Sequence, residues 1–484
     1  MLRYDIRNIL PMKLLPLALT LLLAGLIFGA FIAHIPPEPA GDIAEYFGIT
    51  ESIMRHGAIN LTPEDQASLS KTLHPAYFTN PGYYIRGTDG NRYPVHFIAY
   101  SLLLVPVRWL LWQAAIPEFH LFSLVNTLLF FGALTYILLR FIKVPSRQTV
   151  FVILTVTSPL LFFLWWPGPD IFSLSLLLVS LFWFYEGGIV PAAALAAIAS
   201  WHSQPLIVAA LGMLLYSGLE KHRKHLFLSA VAILALAGLP YLYNLVIFNT
   251  LTPWTLLADG WTMLNGFGLQ NISMQKFTEQ FFDLNIGVFW YAPLLVTGAL
   301  ISIVSMFRSD RKIRWLTAIG IAMLFAYQTN PAWHYGTSGF GPGRHAIAVI
   351  PFLIAAVVWN AKPRPVWTGF LIAVMVSQLY ILSLNGYIFP QFRNTLVHSP
   401  QATFILNRWP ALYNPTPEIF SDRTNHTDLD RPSSAIYAVN GVCKKAYVLG
   451  RDIDSVIQTC GQFPTVPAAS ILNPDTDGFY VTYE

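Results

Sequence analysis

Asp42, Glu45, Asp170 and Arg344 are the side chains whose type and position suggest chemistry. Asp42 follows Pro36-Pro37-Glu38-Pro39 and opens a stretch of helical periodicity, with Glu45 one turn on. A carboxylate there can take a proton from an attacking hydroxyl. It can equally be the N-cap of the helix it precedes, with Glu45 as its capping-box partner or part of a solvated face. Asp170 ends the turn Trp166-Pro-Gly-Pro-Asp170 and opens an apolar run. It reads either as a helix cap after prolines or as a second acid facing the same site. Arg344 closes Trp333-His-Tyr-Gly-Thr-Ser-Gly-Phe-Gly-Pro-Gly-Arg344-His345. Guanidinium gives phosphate paired hydrogen bonds, and the glycines let backbone approach a ligand closely. An interfacial arginine reaching for lipid headgroups is the alternative. Arg92, Tyr93 and His96, and His202 with Gln204 in the polar break Trp201-His-Ser-Gln-Pro205, are further candidates for meeting a phosphate or serving as structural polar groups. Acids on one face could hold a divalent cation, but no compact ligand spacing supports one. The chain has no Walker motif, GxSxG elbow, paired CxxC or HExxH, so nucleotide-driven transport and soluble-type hydrolysis have no support.

The elements that must position these groups are largely apolar. The hydrophobic fraction is 55% and the charged fraction 11%, about half the charge of a soluble domain, with mean hydropathy +0.52. Runs such as 12–33 and 226–246 are long enough to cross a bilayer, and in lipid they must be helices. The first run is too long for a signal-peptide core and reads as an uncleaved span. The net charge of +4 does not suggest nucleic acid, because the Lys and Arg lie in short clusters between apolar runs. Those clusters are the N-terminus, 140–147, 221–224, 308–314 and 362–364, which belong on the cytoplasmic side. The polar stretches 35–94, 166–170, 248–283, 330–343 and 391–484 then face outward. About eleven spans satisfy this alternation, N-terminus inside and C-terminus outside. It requires residues 95–115 to lie along the outer interface, as Trp109, Trp112 and Arg108 suggest. It also requires 189–219 to form two short helices meeting at the polar break.

Within the outer loop 35–94, residues 42–56 carry apolar Ile43, Tyr46, Phe47, Ile49, Ile53 and Met54 at helical spacing against Asp42, Glu45, Glu51 and Arg55. That predicts an amphipathic helix on the outer leaflet, ended by Gly57. Residues 61–91 read as ordered turns. From about residue 391 the long apolar runs stop, and 446–449 and 478–482 read as strands of a small α+β domain. Cys443 and Cys460, the two cysteines, suggest one disulfide on an oxidising face.

Several ordered segments resemble the GT-C superfamily of membrane glycosyltransferases, which includes protein O-mannosyltransferases and the aminoarabinose transferase of lipid A. Gly41-Asp42-Ile-Ala-Glu45-Tyr46 with Ser52-Ile-Met-Arg-His-Gly57 is similar to the acidic start of their first outer loop. Asp89-Gly-Asn-Arg-Tyr93-Pro94, then His96 to Pro106, is similar to that loop's end and its interfacial helix. Pro240-Tyr-Leu-Tyr-Asn244 with Phe248-Asn-Thr-Leu-Thr-Pro253, Asn285-Ile-Gly-Val-Phe-Trp-Tyr-Ala-Pro293 and Gly339-Phe-Gly-Pro-Gly-Arg344 resemble three later stretches. The chain departs from the family in having Asp42 without an adjacent Glu and one carboxylate, Asp170, in the second outer turn. The resemblance implies an all-α polytopic domain over 1–390 and a small periplasmic domain over 391–484. It also implies an inverting transfer of sugar from a polyprenyl-phosphate donor to a glycan, lipid or protein acceptor at the outer face of a bacterial inner membrane. Asp42, Glu45 and Asp170 would be catalytic; Arg344, His345, Arg92, Tyr93, His96 and His202 would hold the donor phosphate. Two other classes fit the composition. A transporter or flippase for lipid-linked sugars would show inverted repeats and charges within mid-membrane helices, and neither is visible. A non-catalytic assembly subunit would leave Asp42 dispensable.

Overall fold

The computed structural model describes residues 10–34, 43–71, 73, 84–254, 267–331, 333–334, 341–361, 365–384, 396–427, 432–461 and 478–483. Asp42 lies outside them. The chain is mostly helical, with a two-stranded and a three-stranded antiparallel sheet. Among the described residues, Glu118–Arg140, Arg223–Phe248 and Trp367–Leu384 are long and apolar enough to cross a membrane, and six shorter apolar helices accompany them. Leu234 and Val246 are 76% and 66% exposed, as side chains that face hydrocarbon would be.

The run 189–219 forms the helices Ile189–Ala199 and Ile207–Leu219. The break between them is tied down on both sides. The Trp201 indole donates to the Leu236 carbonyl at 2.7 Å, and the Ser203 and Tyr327 hydroxyls lie 2.6 Å apart. Polar backbone inside an apolar bundle needs such partners.

Residues 43–56 form the expected helix, Ile43–His56, and Gly57 ends it at φ +69°. The leaflet-surface expectation is corrected: Ile43 through Thr50 are all buried, Glu45 included. The helix is covered on its polar face by chain from far away. Ala99–Gln113 crosses it, and Arg108 from that helix is buried rather than interfacial. Arg108 meets Glu51 at 2.7 Å, Glu118 at 2.6 Å and the Phe47 carbonyl at 3.0 Å. Trp109 and Trp112 on the same helix are exposed.

Residues 61–91 are more regular than the turns expected. Thr62 and Asp65 form a reciprocal capping box that starts the helix Pro63–Leu69, a sequence signal overlooked because the run is so short. Strands β1 (Tyr84–Arg86) and β2 (Arg92–Pro94) then form a hairpin. The Tyr84 hydroxyl donates to the Glu45 carbonyl at 2.7 Å, which pins the hairpin to the buried helix.

The C-terminal region carries short helices and the three-stranded sheet. β3 (Ala435–Val439) and β4 (Val442–Leu449) join through Asn440-Gly441, both at positive φ, the two-residue turn that suits strand twist. β5 (Gly478–Thr482) pairs with β4, Ala446 opposite Val481. Cys443 and Cys460 form a disulfide.

Candidate functional site

The segments carrying the resemblance are distant in sequence and adjoin in space. Thr88, in the hairpin turn, donates its backbone N–H to the Ile247 carbonyl at 2.9 Å, and Tyr93 meets Phe248 edge to face. Gly343 donates to the Ile286 carbonyl at 2.8 Å. These links join 84–93 to 247–248 and 343 to 286, and the Tyr84 hydroxyl ties the hairpin to the helix that carries Glu45.

At one side lies Glu45. It accepts the His96 backbone N–H on one carboxylate oxygen and faces the His96 Nδ1 with the other, both at 2.7 Å. A carboxylate gripping imidazole at Nδ1 fixes the ring's orientation. Trp254 stacks on that ring at 5.5 Å. Glu45 is therefore a holder of His96 in this arrangement.

In the middle, the His202 Nε2 accepts the Tyr100 backbone N–H at 3.1 Å. Nδ1 then carries the proton of the neutral ring, and it is buried without a partner. The Tyr100 hydroxyl donates to Asn126, and the Asn126 amide donates to the Trp166 carbonyl, both at 2.9 Å. That chain leads from the first outer loop to the turn bearing Asp170.

At the far side, Arg344 Nε donates to Asp170 Oδ1 at 2.9 Å, and its guanidinium sits over the Trp166 ring at 5.7 Å. Asp170 makes no side-chain cap; Pro169 occupies that position. Its other oxygen, Oδ2, is buried and unpartnered. His345 stacks on Tyr327 at 5.0 Å, and Tyr327 reaches Ser203. The cap reading of Asp170 and the headgroup reading of Arg344 both give way to a mutual ion pair. An apolar cavity of about 290 Å³ opens between helices, lined by Phe277, Phe281, Leu300, Leu324, Val349 and Phe352.

Arg92 and Tyr93 lie on β2, away from this pair. The Tyr93 hydroxyl donates to Asp89 at 2.8 Å, and that bond, with the Asn91 backbone, holds Asp89 below the usual carboxylate range. Ser52, His56 and Asp65 have the composition of a nucleophilic triad. Both Ser52 and Asp65 contact the same His56 nitrogen, Nε2, and the Ser52 hydroxyl is 2.8 Å from the Ala58 carbonyl. The trio is a latch, since a relay needs opposite ring nitrogens. Residues the sequence reading passed over are Tyr100, Asn126, Trp166, Ser203, Trp254 and Tyr327. Trp166 opens the proline turn and Ser203 lies in the polar break, which were the available signals; Tyr100, Asn126 and Tyr327 are single polar or aromatic residues in apolar runs.

No family model, curated protein or solved structure matches this chain.

Proposed function

We propose that the chain is a GT-C-type glycosyltransferase of a bacterial inner membrane, with about eleven spans and its site on the periplasmic face. It transfers a sugar from a polyprenyl-phosphate donor to an acceptor hydroxyl, with inversion. The observation that carries this reading is the Asp170–Arg344 pair, which joins the second outer turn to the glycine-rich stretch that resembles the family.

Arg344 is the anion contact. A guanidinium has five donors, so it can keep Asp170 through Nε while meeting a phosphate with its Nη groups. As the sugar–phosphate bond breaks, charge grows on the departing lipid phosphate, and a positioned guanidinium stabilises it. The donor's chain can lie in the apolar cavity, whose Val349 follows Arg344 by little more than a helical turn. The buried, unpartnered Asp170 Oδ2 and His202 Nδ1 offer an acceptor and a donor to sugar hydroxyls. Glu45 is committed to His96, so the general base is Asp42, which immediately precedes that buried helix in the sequence.

Transfer from a synthetic polyprenyl-phosphate sugar, measured in nanodiscs, tests this. Asp42→Asn keeps the capping ability of the residue and removes the base, so turnover falls by about 10²–10⁴ with donor binding intact. Arg344→Lys loses the bidentate fork and weakens donor binding as well as turnover. Wild-type turnover by Asp42→Asn would overturn the assignment of the base. Unchanged behaviour of both variants would favour a carrier or an assembly subunit.

A further inference from the structure

The described residues that precede Arg344 connect with the C-terminal domain directly at His334 and, at Gly343, through the segment 283–286. His334 Nε2 lies 3.0 Å from the carboxylate of Asp422, with both side chains essentially inaccessible. Trp333 is buried between Ile286 of the membrane domain and Ile419 of the C-terminal helix Pro417–Asn425. Gly343 donates to the Ile286 carbonyl. The Ile286 N–H in turn donates to Asp283 Oδ1 at 2.9 Å, and Asp283 Oδ2 accepts the Tyr413 hydroxyl at 2.7 Å. Tyr413 belongs to the C-terminal domain, whose core it shares with Phe420 and Tyr447.

We infer that the C-terminal domain positions the anion site, with Asp422 acting through His334 and Tyr413 through Asp283 to hold Arg344 where it meets the lipid phosphate. This rests on the anion-binding role of Arg344 proposed above. The physical ground is that a buried polar contact has one good geometry and leaves its groups unsatisfied when it is broken, and so fixes whatever chain carries it. Here one such contact reaches His334 directly, and a second reaches Gly343 by way of Asp283 and Ile286. Asp422 and Tyr413 are positioning residues; they touch no ligand.

The test is equilibrium binding of undecaprenyl phosphate and of the uncharged undecaprenol to the full chain in nanodiscs. Asp422→Asn and Tyr413→Phe should each weaken the phosphate by about tenfold, the scale of a small misplacement, and leave the alcohol unchanged. A purely structural role lowers melting temperature and weakens both lipids alike, and that result overturns the inference. Arg344→Lys separates the two claims. If it weakens the phosphate selectively while Asp422→Asn and Tyr413→Phe do not, the positioning role fails and the anion site stands. If Arg344→Lys has no effect on phosphate binding, the anion site fails and this inference falls with it.

Discussion

Asp170 and Arg344 form their pair across 174 positions of sequence. Each was visible in the sequence as a functional type in an outward-facing turn, yet each also had an ordinary explanation that sequence could not reject. The structure shows that Asp170 makes no side-chain cap and that the two side chains pair with each other. The pair also sets the sign of a prediction. On the proposed role of Arg344, the Asp170 carboxylate beside the guanidinium opposes the binding of a second anion by charge repulsion even while it keeps its Nε bond. Asp170→Asn removes that negative charge and should tighten undecaprenyl phosphate binding by about fivefold, roughly 1 kcal/mol for a partly exposed pair. Turnover should fall in the same variant, since the Oδ2 acceptor is gone. Weaker phosphate binding by Asp170→Asn would mean that the carboxylate chiefly orients Arg344. Glu45 teaches the opposite lesson. Its spacing from Asp42 suggested shared chemistry, whereas its two oxygens are spent on His96, a partner that no local pattern announces.

At the scale of elements, helical periodicity located Ile43–His56 and its glycine stop correctly, and the polar break located the two short helices after Ile189. Periodicity fails where a polar face is covered by distant chain, which is why this helix reads as amphipathic and is found buried. Its close packing has a specific cause at Gly48. A Cβ there would lie 1.7 Å from the Tyr84 hydroxyl, so the hairpin can seat only against glycine. Gly48→Ala should therefore destabilise the protein by about 1–3 kcal/mol, the range for overpacking. Tyr84→Leu removes the ring that clashes, so the double variant should be little worse than Tyr84→Leu alone. A double-mutant cycle on melting temperature reads this coupling. Strictly additive losses would show that Gly48 matters for some reason other than the hairpin.

The whole molecule is where sequence said least. Composition pointed to a mostly helical chain with helices apolar enough to cross a membrane, and the strand-like runs around Tyr447 and Tyr480 were legible by alternation. Nothing local indicated that the C-terminal domain is bolted to the outer segment 274–291 through buried polar groups. Asn285 is the centre of that junction: its amide bonds the Tyr413 hydroxyl and the His398 Nδ1, and its carbonyl accepts the Ser399 N–H. Glu279 adds a second contact by accepting both the backbone N–H and the hydroxyl of Thr416. Such a network is satisfied only in the assembled state, so its members look like ordinary loop residues in sequence.

The junction carries a pH dependence whose sign can be worked out. Burial, with Arg423 and then His426 nearby, holds the His398 imidazole down to about 3. Its Nδ1 accepts from Asn285, and its Nε2 faces the Thr424 hydroxyl at 2.9 Å, an arrangement for the neutral ring. The released domain takes up a proton near the ordinary histidine value of 6.5, and the docked domain does not. Docking stability from this group is therefore complete above pH 6.5 and is lost as pH falls toward 3. The slope is at most about 1.4 kcal/mol per pH unit, less whatever the ring's residual accessibility relieves. Glu279 and Asp283 act in the opposite direction. Burial raises both above their ordinary values, though bonds to Thr416 and Tyr413 oppose it. Their penalty is relieved as acid protonates them. The total profile of the junction is thus flatter than His398 alone would make it, and the difference between two proteins isolates the histidine. The protection of amides across residues 400–427, taken relative to intrinsic exchange at each pH from 7 to 4.5, should fall more in wild type than in His398→Gln. Parallel curves for the two proteins would show that His398 stays neutral, or charged, in both states and has no part in the coupling.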